Sequence, residues 1–218
     1  AILSGSDVLF STPANYNGSE NFTITVSDGD LTDSQVMTVT VNAVNDAPVA
    51  STGLSGIGEE DQSISILLTG SDVDGDVLSY TITSNPENGT IEVSGATAIY
   101  IPNSNYNGND SFTFSVSDGL ESDSADVNLI VNAVNDAPVL SAVSDISFDE
   151  DNSGNLSLSA SDEDSDNLTY SISDGTDIAA ILSGSDVLFS TPANYNGSEN
   201  FTITVSDGDL TDSQVMTV

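Results

Sequence analysis

The chain has 218 residues, enough for one or two domains, and its 35 acidic residues face no Lys, Arg or His, so the formal net charge is −35. Because like charges repel, a chain with this charge is not expected to bind nucleic acid phosphates or the anionic inner leaflet of a membrane. Because Lys, His and Cys are all absent, Schiff-base lysines, histidine triads, zinc centres and thiol nucleophiles are excluded as well. Hard cations held by oxygen ligands are the metal chemistry that remains.

The composition nevertheless predicts a folded protein. Hydrophobic residues make up 37% of the chain, and six Tyr and seven Phe supply more core material than disordered acidic chains carry. The sequence has no run of about 18 apolar residues and no basic segment ahead of an apolar stretch, so it predicts neither a membrane span nor a signal peptide. We expect bound or screening cations to relieve the self-repulsion of the compact state.

Strands are predicted wherever apolar and polar residues alternate, since this period of two is typical of half-buried strands. Turn-forming clusters separate these strands at 84–90 and 103–110, and the glycines Gly53, Gly56 and Gly58 predict a flexible loop before the first of them. No stretch has helical periodicity, so the predicted fold class is all-β, as Greek-key sandwiches of about 90 residues. In chain order the alternating residues are Ile64, Ile66, Leu68; Leu78, Tyr80, Ile82; Phe112, Phe114, Val116; and Ala125, Val127, Leu129, Val131.

The sequence repeats itself. The segment NAVNDAPV at 42–49 returns unchanged at 132–139, and residues 1–39 are identical to residues 180–218. Such self-similarity predicts a tandem array. We expect the chain to be an excerpt from a longer array, with three domains: 1–41 as the C-terminal half of a truncated repeat, 42–131 as a complete repeat with its linker, and 132–218 as a nearly complete repeat with its linker.

Carboxylates recur at equivalent places in successive repeats. The clearest case is DVDGD at 72–76, which corresponds to DEDSD at 162–166. Alternate carboxylates on one turn can converge on Ca²⁺, which takes six to eight oxygen ligands. An EF-hand loop does not fit, because Val77 and Thr83 occupy the positions that require Gly and Glu. The remaining alternative is an Asp-rich turn without an ion.

Further motifs accompany these turns in a fixed order. An NDAP linker at 45–48 and 135–138 is followed, twelve residues beyond each Pro, by a glutamate and then by the DxD pair. The glutamates are Glu60 and Glu150; later VSDG motifs contain Asp28, Asp118 and Asp207; and NYNG segments at Asn15, Asn105 and Asn194 precede Glu20, Asp110 and Glu199. This ordered set resembles the cadherin-like tandem repeats of giant bacterial surface adhesins, which are calcium-binding, immunoglobulin-like sandwiches.

The resemblance implies Ca²⁺ ions at the junctions between successive repeats. The implied ligands at the first junction are Glu20, Asn45, Asp46, Asp72, Asp74 and Asp118. Those at the second are Glu60, Asp110, Asn135, Asp136, Asp162, Asp164 and Asp207. Because Ala43 and Ala133 stand where the cadherin linker has an acidic residue, we expect one to three ions per junction. The six carboxylates of the second junction would repel one another, and bound Ca²⁺ would cancel that repulsion.

The function implied is that of a non-catalytic extender segment of a secreted or surface-anchored bacterial adhesin, outside the cell and stiffened by Ca²⁺. Its expected partners are calcium ions and neighbouring repeats of the same long chain. The alternative is that the repeats themselves bind a glycan or identical chains to form filaments or biofilm bundles. Four aromatic residues at core positions, Tyr80, Tyr106, Phe112 and Phe114, argue against glycan binding. Carboxylate pairs of the kind that glycosidases use occur throughout the chain and favour no enzyme.

Overall fold

The computed structural model describes residues 1–165 and 167–218. Every element of regular secondary structure assigned within these ranges is a β-strand, which confirms the predicted all-β fold class. Among the same residues there is no helix with the length and apolar character that membrane crossing requires. The chain divides into two compact units, Ala1–Asn132 and Ala133–Val218. The predicted repeat boundaries after residues 41 and 131 stay predictions.

The first unit begins with two separate antiparallel hairpins. Their strands are Ile2–Ser4 (β1), Asp7–Leu9 (β2), Gly18–Ser27 (β3) and Thr32–Val41 (β4). β1 pairs with β2, and β3 pairs with β4. The alternation of apolar residues produces strands here but no buried core, since Ile24 and Val26 of β3 are 46% and 67% exposed.

The rest of the first unit is a two-sheet sandwich. Its strands are Val49–Ala50 (β5), Leu54–Glu59 (β6), Ile64–Leu67 (β7), Gly70–Ser71 (β8), Ser79–Ser84 (β9), Gly89–Ser94 (β10), Thr97–Pro102 (β11), Gly108–Ser117 (β12) and Ser122–Asn132 (β13). One sheet has the order β10-β11-β7 and the other β6-β13-β12-β9, while β5 pairs with β8. All these pairings are antiparallel except β6 with β13, which is parallel.

The core of this sandwich consists of the inward residues of both sheets, as the period of two predicts. On β7, Ile64 and Ile66 are buried, and Leu68 directly after the strand is buried too. The buried residues of the opposite sheet are Phe112, Phe114, Val116, Ala125, Val127, Leu129 and Val131, and β11 adds Ala98 and Tyr100. Leu78, Tyr80 and Ile82 of the β9 region are partly buried against this core.

The prediction of a flexible loop at the three glycines is wrong for two of them. Gly56 and Gly58 lie in β6, where side chains would collide with β7. A Cβ atom on Gly56 would lie 2.9 Å from Ile64 Cγ2, and one on Gly58 would lie 2.6 Å from Ile64 Cγ1. The glycines are therefore needed for close packing of β6 against β7, which the sequence around them does not indicate.

The second unit forms a sandwich from eight strands, which correspond to those of the first sandwich except that no counterpart of β6 is assigned among the described residues. They are Val139–Leu140 (β14), Ser153–Ser157 (β15), Ala160–Ser161 (β16), Thr169–Ile172 (β17), Ala179–Ser183 (β18), Asp186–Ser190 (β19), Asn200–Ser206 (β20) and Thr211–Thr217 (β21). The sheets have the orders β15-β19-β18 and β17-β20-β21, and β14 pairs with β16. Their core contains Leu140, Leu158, Ile178, Val187, Phe189, Phe201, Ile203, Val205, Met216 and Val218.

The two sandwiches differ at one pair of equivalent positions, where the large side chain and the glycine have exchanged places. In the first, Gly58 faces the large Ile64. In the second sandwich the equivalent positions lie 90 residues later and are occupied by Phe148 and Gly154. A Cβ on Gly154 would lie 2.6 Å from Phe148 Cδ1. The large and small residues have changed sides, so each pair fills the same space in a different way.

Candidate metal centre

The DVDGD turn folds around the side chain of Asp72. Its Oδ1 accepts hydrogen bonds from the backbone N–H groups of Asp74 at 2.8 Å, Gly75 at 2.9 Å and Asp76 at 3.2 Å. Gly75 has a φ of 80°, which glycine adopts at little cost. As a result, one carboxylate oxygen from each of Asp72, Asp74 and Asp76 lies within 4.8 Å of the other two.

These three carboxylates repel one another. At about 4 Å, two unit charges interact with about 1 kcal/mol in water and about 4 kcal/mol at an effective dielectric of 20. The turn nevertheless holds them together by hydrogen bonds to its own backbone. A hard cation at this point would turn the repulsion into attraction, because carboxylate oxygens are the ligands that Ca²⁺ prefers.

Asp72 also provides an oxygen that fits a cation. Among the described residues, 1–165 and 167–218, no hydrogen-bond donor reaches its buried Oδ2. A buried carboxylate oxygen without a partner is unfavourable, since its hydration is not replaced. The donor set of this turn therefore fits Ca²⁺, and Asp72 would be its innermost ligand.

The linker preceding the sandwich is attached to the same end of it. The backbone N–H of Asp46 donates to Asp74 Oδ2 at 2.8 Å. The Asn45 side chain donates from Nδ2 to Asp118 Oδ2 at 2.9 Å. Five of the six residues predicted for the first junction, Asn45, Asp46, Asp72, Asp74 and Asp118, are thus gathered by direct hydrogen bonds around one turn.

Asp118 is fixed by the VSDG turn that contains it. Its Oδ1 accepts from the backbone N–H groups of Leu120 and Glu121, both at 2.7 Å. The hydrogen bond from Glu121, followed by that from the Asn45 side chain, lowers the pKa of Asp118 below its ordinary value. Asp118 is therefore an anion at neutral pH, as a cation ligand must be.

Glu20 lies near this cluster without joining it. It is exposed on β3, and the Tyr16 hydroxyl donates to its Oε1 at 3.4 Å. The loop from Asn15 to Asn17 lines a cleft of about 260 Å³ together with Asp46 and Asp74. Glu20 lines a neighbouring cleft with Phe10 and Phe22, so its role as a ligand stays a prediction.

The second unit repeats the arrangement. The backbone N–H of Asp136 donates to Asp164 Oδ2 at 2.7 Å, and Asn135 Nδ2 donates to Asp207 Oδ2 at 2.9 Å. Backbone hydrogen bonding, led by Leu210, and the Asn135 side chain lower the pKa of Asp207. Asp162 is half-buried at the corresponding turn. Asp166, the third acid of that DEDSD turn, lies outside the described residues.

The two remaining predicted ligands belong to the first unit. Glu60 is 3% exposed, and Asn107 Nδ2 donates to its Oε2 at 3.5 Å. Asp110 accepts hydrogen bonds at 2.8 to 3.1 Å from the backbone of Glu87, Asn88 and Ser111 and from the Tyr100 hydroxyl. These contacts fasten the turn before β10 to β12. That Glu60 and Asp110 also bind Ca²⁺ stays a prediction.

Two effects oppose each other on the Asp110 carboxyl. Its burial is the largest single influence and would raise its pKa, but the hydrogen bonds from Asn88, Ser111, Glu87 and Tyr100 together outweigh it, so the pKa is lowered. Burial, with Asp110 as hydrogen-bond acceptor, in turn raises the pKa of Tyr100. Asp110 is thus ionised and fully engaged within its own repeat.

The predicted ligand set lacks two acids of the cluster: Asp76, which completes the group of three in the turn, and Glu121. Asn45 Nδ2 also donates to Glu121 Oε2 at 3.4 Å, which brings a further carboxylate beside Asp118. The corresponding residues in the other repeats are Leu31 and Leu210. A search for acids that recur from repeat to repeat cannot find Glu121, and only its place three residues after Asp118 in a tight turn could have indicated it.

Comparisons with solved structures show which fold this is. The ectodomain fragment PcdhgB3 EC1-4 is 14% identical with a TM-score of 0.58, covering 92% of this chain and 56% of that one. Human Protocadherin-24 EC1-2 is 20% identical with a TM-score of 0.48, covering 79% of this chain and 97% of that one. The endo-fucoidan hydrolase MfFcnA4 of glycoside hydrolase family 107 is 23% identical with a TM-score of 0.40, covering 94% of this chain.

The chain spans 34% of the length of that hydrolase. A comparison with curated proteins finds no match. The family model described as a bacterial Ig domain matches residues 45–130 and again 135–218, which is most of the chain. Together with the similarity in fold to PcdhgB3 EC1-4, this confirms the predicted resemblance to cadherin-like tandem repeats. The chain belongs to the bacterial Ig domain family and contains two tandem copies of that domain.

Proposed function

We propose that this chain is a non-catalytic extender segment of a secreted or surface-anchored bacterial adhesin, in which Ca²⁺ bound at the ends of the repeats stiffens the array. Tandem bacterial Ig-like repeats are consistent with an extender. The observation that carries the calcium proposal is the convergence of Asp72, Asp74 and Asp76, with the buried Asp72 Oδ2 lacking a donor among the described residues.

The residues that would hold the ion in the first unit are Asp72, Asp74 and Asp76, with Asp46 and Asp118 beside them. The linker is bonded to this turn through the Asp46 backbone. The charge that Ca²⁺ supplies would neutralise the clustered carboxylates and make separation of linker and turn unfavourable. Residues 15–17 line the same cleft as Asp46 and Asp74, so the hairpin region 1–41 would lose freedom relative to the sandwich that follows.

The expected gain in stability follows from linkage. Extracellular calcium modules bind with dissociation constants of about 10⁻⁴ to 10⁻³ M. A ligand at a hundred times its dissociation constant stabilises the folded state by about 2.7 kcal/mol per site. Since small domains have net stabilities of about 5 to 15 kcal/mol, filling one to three sites would change the melting temperature of the chain by several degrees or more.

Binding of glycans by the repeats is not favoured by the aromatic residues of the complete repeat. Phe112 and Phe114 are buried in the core. Tyr80 and Tyr106 are partly buried against it. These four side chains therefore offer no stacking platform for a sugar ring, and an extender that binds ions is the better supported proposal.

The test compares two substitutions that each remove one negative charge. Asp72→Asn keeps the Oδ1 acceptor of the turn but replaces the buried Oδ2 by an amide nitrogen, whereas Glu92→Gln changes an exposed residue of β10. We expect calorimetric titration to show weakened Ca²⁺ binding for Asp72→Asn alone. We expect chelation to lower the melting temperature of the wild type and to broaden the distance distribution from X-ray scattering.

The outcomes separate the parts of the proposal. Equal Ca²⁺ affinities of Asp72→Asn and Glu92→Gln would show that the turn is not the site. Ca²⁺ binding without any change in the scattering profile would leave a metal site but remove the stiffening role.

A further inference from the structure

The second sandwich has an edge strand without a charged residue. This strand, β18, has the sequence AAILS and lies at the end of the sheet β15-β19-β18. Among the described residues it pairs with β19 alone. Hydrogen bonds to one neighbour use every second residue of an antiparallel strand, so the residues between them direct their N–H and C=O groups away from β19. Unpaired groups of this kind are a template for another strand.

The surface of β18 is aliphatic on both faces of the sheet. On the outer face Ile181 is 59% exposed, and its cross-strand neighbour Leu188 on β19 is 40% exposed. On the inner face Ala180 and Leu182 are only partly buried against the core. An added strand would therefore cover aliphatic surface while it pairs with the open edge.

The first sandwich shows how such an edge is protected. Its edge strand β10 forms the equivalent hairpin with β11, in which Glu92 pairs with Ile99. Ile181 pairs with Leu188 in the second sandwich, so Glu92 and Ile181 are equivalent. A charge on an edge strand opposes pairing with another chain. Within the part that the structure describes, β10 too has an open second edge, so the two sandwiches differ here in charge and not in coverage.

We propose that β18 pairs in antiparallel orientation with β18 of a second copy of this chain. An antiparallel pair of identical strands is isologous, so each copy supplies the same surface. The pairing joins two three-stranded sheets into one continuous sheet. It places the two Ile181 side chains next to each other at the two-fold axis, where cross-strand aliphatic contact is favourable. This association is independent of the proposed calcium sites.

Charge selects a second copy as the partner. The chain has 35 acidic residues and no Lys or Arg, so contact between the acidic surfaces of two copies would bring carboxylates together. Two β18 strands can meet without a carboxylate in either strand. A cationic protein would bind the acidic surfaces instead, since β18 offers it no opposite charge.

A single contact of this kind is weak. The strand has five residues, whereas a stable interface buries about 1,200 to 2,000 Å² in total. The charge on the rest of the chain repels the second copy, so salt must assist association. Tandem arrays that contain the strand in several repeats would gain by avidity.

The experiment measures sedimentation of the full chain from about 10 µM to about 1 mM, in high salt and with a chelator that excludes calcium bridges. Residues 1–4 have the same sequence as 180–183, so every chain compared, including the reference, carries Ile2→Glu. We expect a reversible dimer at the upper concentrations. We also expect amide hydrogen exchange in 180–183 to slow by at least about threefold between the lowest and the highest concentration.

Two substitutions add the same negative charge at exposed aliphatic residues. Ile181→Glu introduces the acid that β10 carries, whereas Val215→Glu changes a residue of β21 that is 65% exposed. We expect Ile181→Glu to abolish the dimer and Val215→Glu to leave it unchanged. The reciprocal substitution Glu92→Ile removes the charge from β10 and should produce oligomers larger than the dimer.

A reference chain that stays monomeric at about 1 mM in high salt would overturn the inference. Equal dimerisation of the Ile181→Glu and Val215→Glu chains would overturn it as well, and so would a dimer whose slowed amides lie outside β18. A Glu92→Ile chain that forms only dimers would contradict the protective role assigned to the charge on β10. Because the chelator is present throughout, none of these results bears on the proposed calcium sites.

Discussion

Residues 1–39 and 180–218 are the same sequence in two surroundings. Both form the same long hairpin in the same register, with Phe22 opposite Met37 in one and Phe201 opposite Met216 in the other. Burial differs completely, since Val26 is 67% exposed and Val205 is fully buried. The strand pairing is therefore encoded within these 39 residues, whereas the core depends on the segment before them.

The comparison separates local from tertiary stabilisation. The aromatic pair survives in both surroundings, with ring centroids 4.9 Å apart for Phe10 and Phe22 and 5.1 Å apart for Phe189 and Phe201. A marginal two-stranded hairpin can keep such a contact, but a stable sandwich needs a third layer of partners. Substitutions at equivalent positions of the two copies measure this difference directly.

The largest effect is expected from removing the central ring of each copy. Phe201→Ala leaves a cavity in a closed core and should destabilise the second unit by about 3 to 5 kcal/mol. Phe22→Ala loses mainly the contact with Phe10 and should cost about 1 kcal/mol. Hydrogen exchange in increasing urea reports each unit separately, and equal costs at the two positions would contradict the assignment of the core.

A smaller effect is expected from the glutamine that fastens the first segment of the second unit. Gln214 Oε1 accepts from Val143 N at 2.9 Å, and its Nε2 donates to Leu140 O at 2.8 Å. Gln214→Ala should cost about 1 kcal/mol per lost bond. The twin substitution Gln35→Ala changes an exposed side chain and should be silent. Urea midpoints for the second unit provide the measurement, and a silent Gln214→Ala would show that these bonds are replaced by water.

The smallest effect concerns acid stability. The backbone hydrogen bond from Asp177, with those from Thr176 and Ile178, lowers the pKa of Glu199 below its ordinary value of 4.5 against the opposing effect of burial. A carboxyl whose pKa is lower in the folded than in the unfolded state stabilises the folded state at pH values above its unfolded-state pKa. This contribution disappears as the pH falls through the folded-state pKa. The stability of the second unit should therefore decrease below about pH 4.5.

Substitution of Glu199 tests this contribution. Glu199→Gln should flatten the decrease in melting temperature between about pH 5 and pH 3. Asp207, whose pKa is also lowered, leaves some residual slope. Calorimetry with a chelator present excludes calcium from the comparison, and parallel pH profiles for wild type and Glu199→Gln would rule out the hydrogen-bonded carboxylate as a source of stability.

The sequence predicts the sandwich well because alternation is a local signal. Ile64, Ile66 and Phe114 are buried where the period of two requires. The turn at Asp72 is predicted for the same reason, since its side chain bonds to the backbone two to four residues later. Both features depend on residues that are close in the chain.

Features that depend on distant partners were missed. The sequence predicts that Gly58 is a loop residue, whereas in the structure it packs closely against Ile64. The sequence predicts only a role as metal ligand for Asp110, whereas in the structure its carboxylate also accepts hydrogen bonds from the backbone of Glu87 and Asn88. Spacing along the chain contains no information on these contacts, which form only when the sheets face each other.

The large and small residues of the pairs Gly58–Ile64 and Phe148–Gly154 lie on opposite members of the pair, and this difference bears on how neighbouring repeats avoid misassembly. Tandem domains with the same sequence tend to trade strands with their neighbours while they fold. A hybrid of these two sandwiches would force Phe148 against Ile64 or leave a void between Gly58 and Gly154, and both are unfavourable. The incompatibility of these two neighbouring sandwiches would therefore favour partners within one repeat during folding.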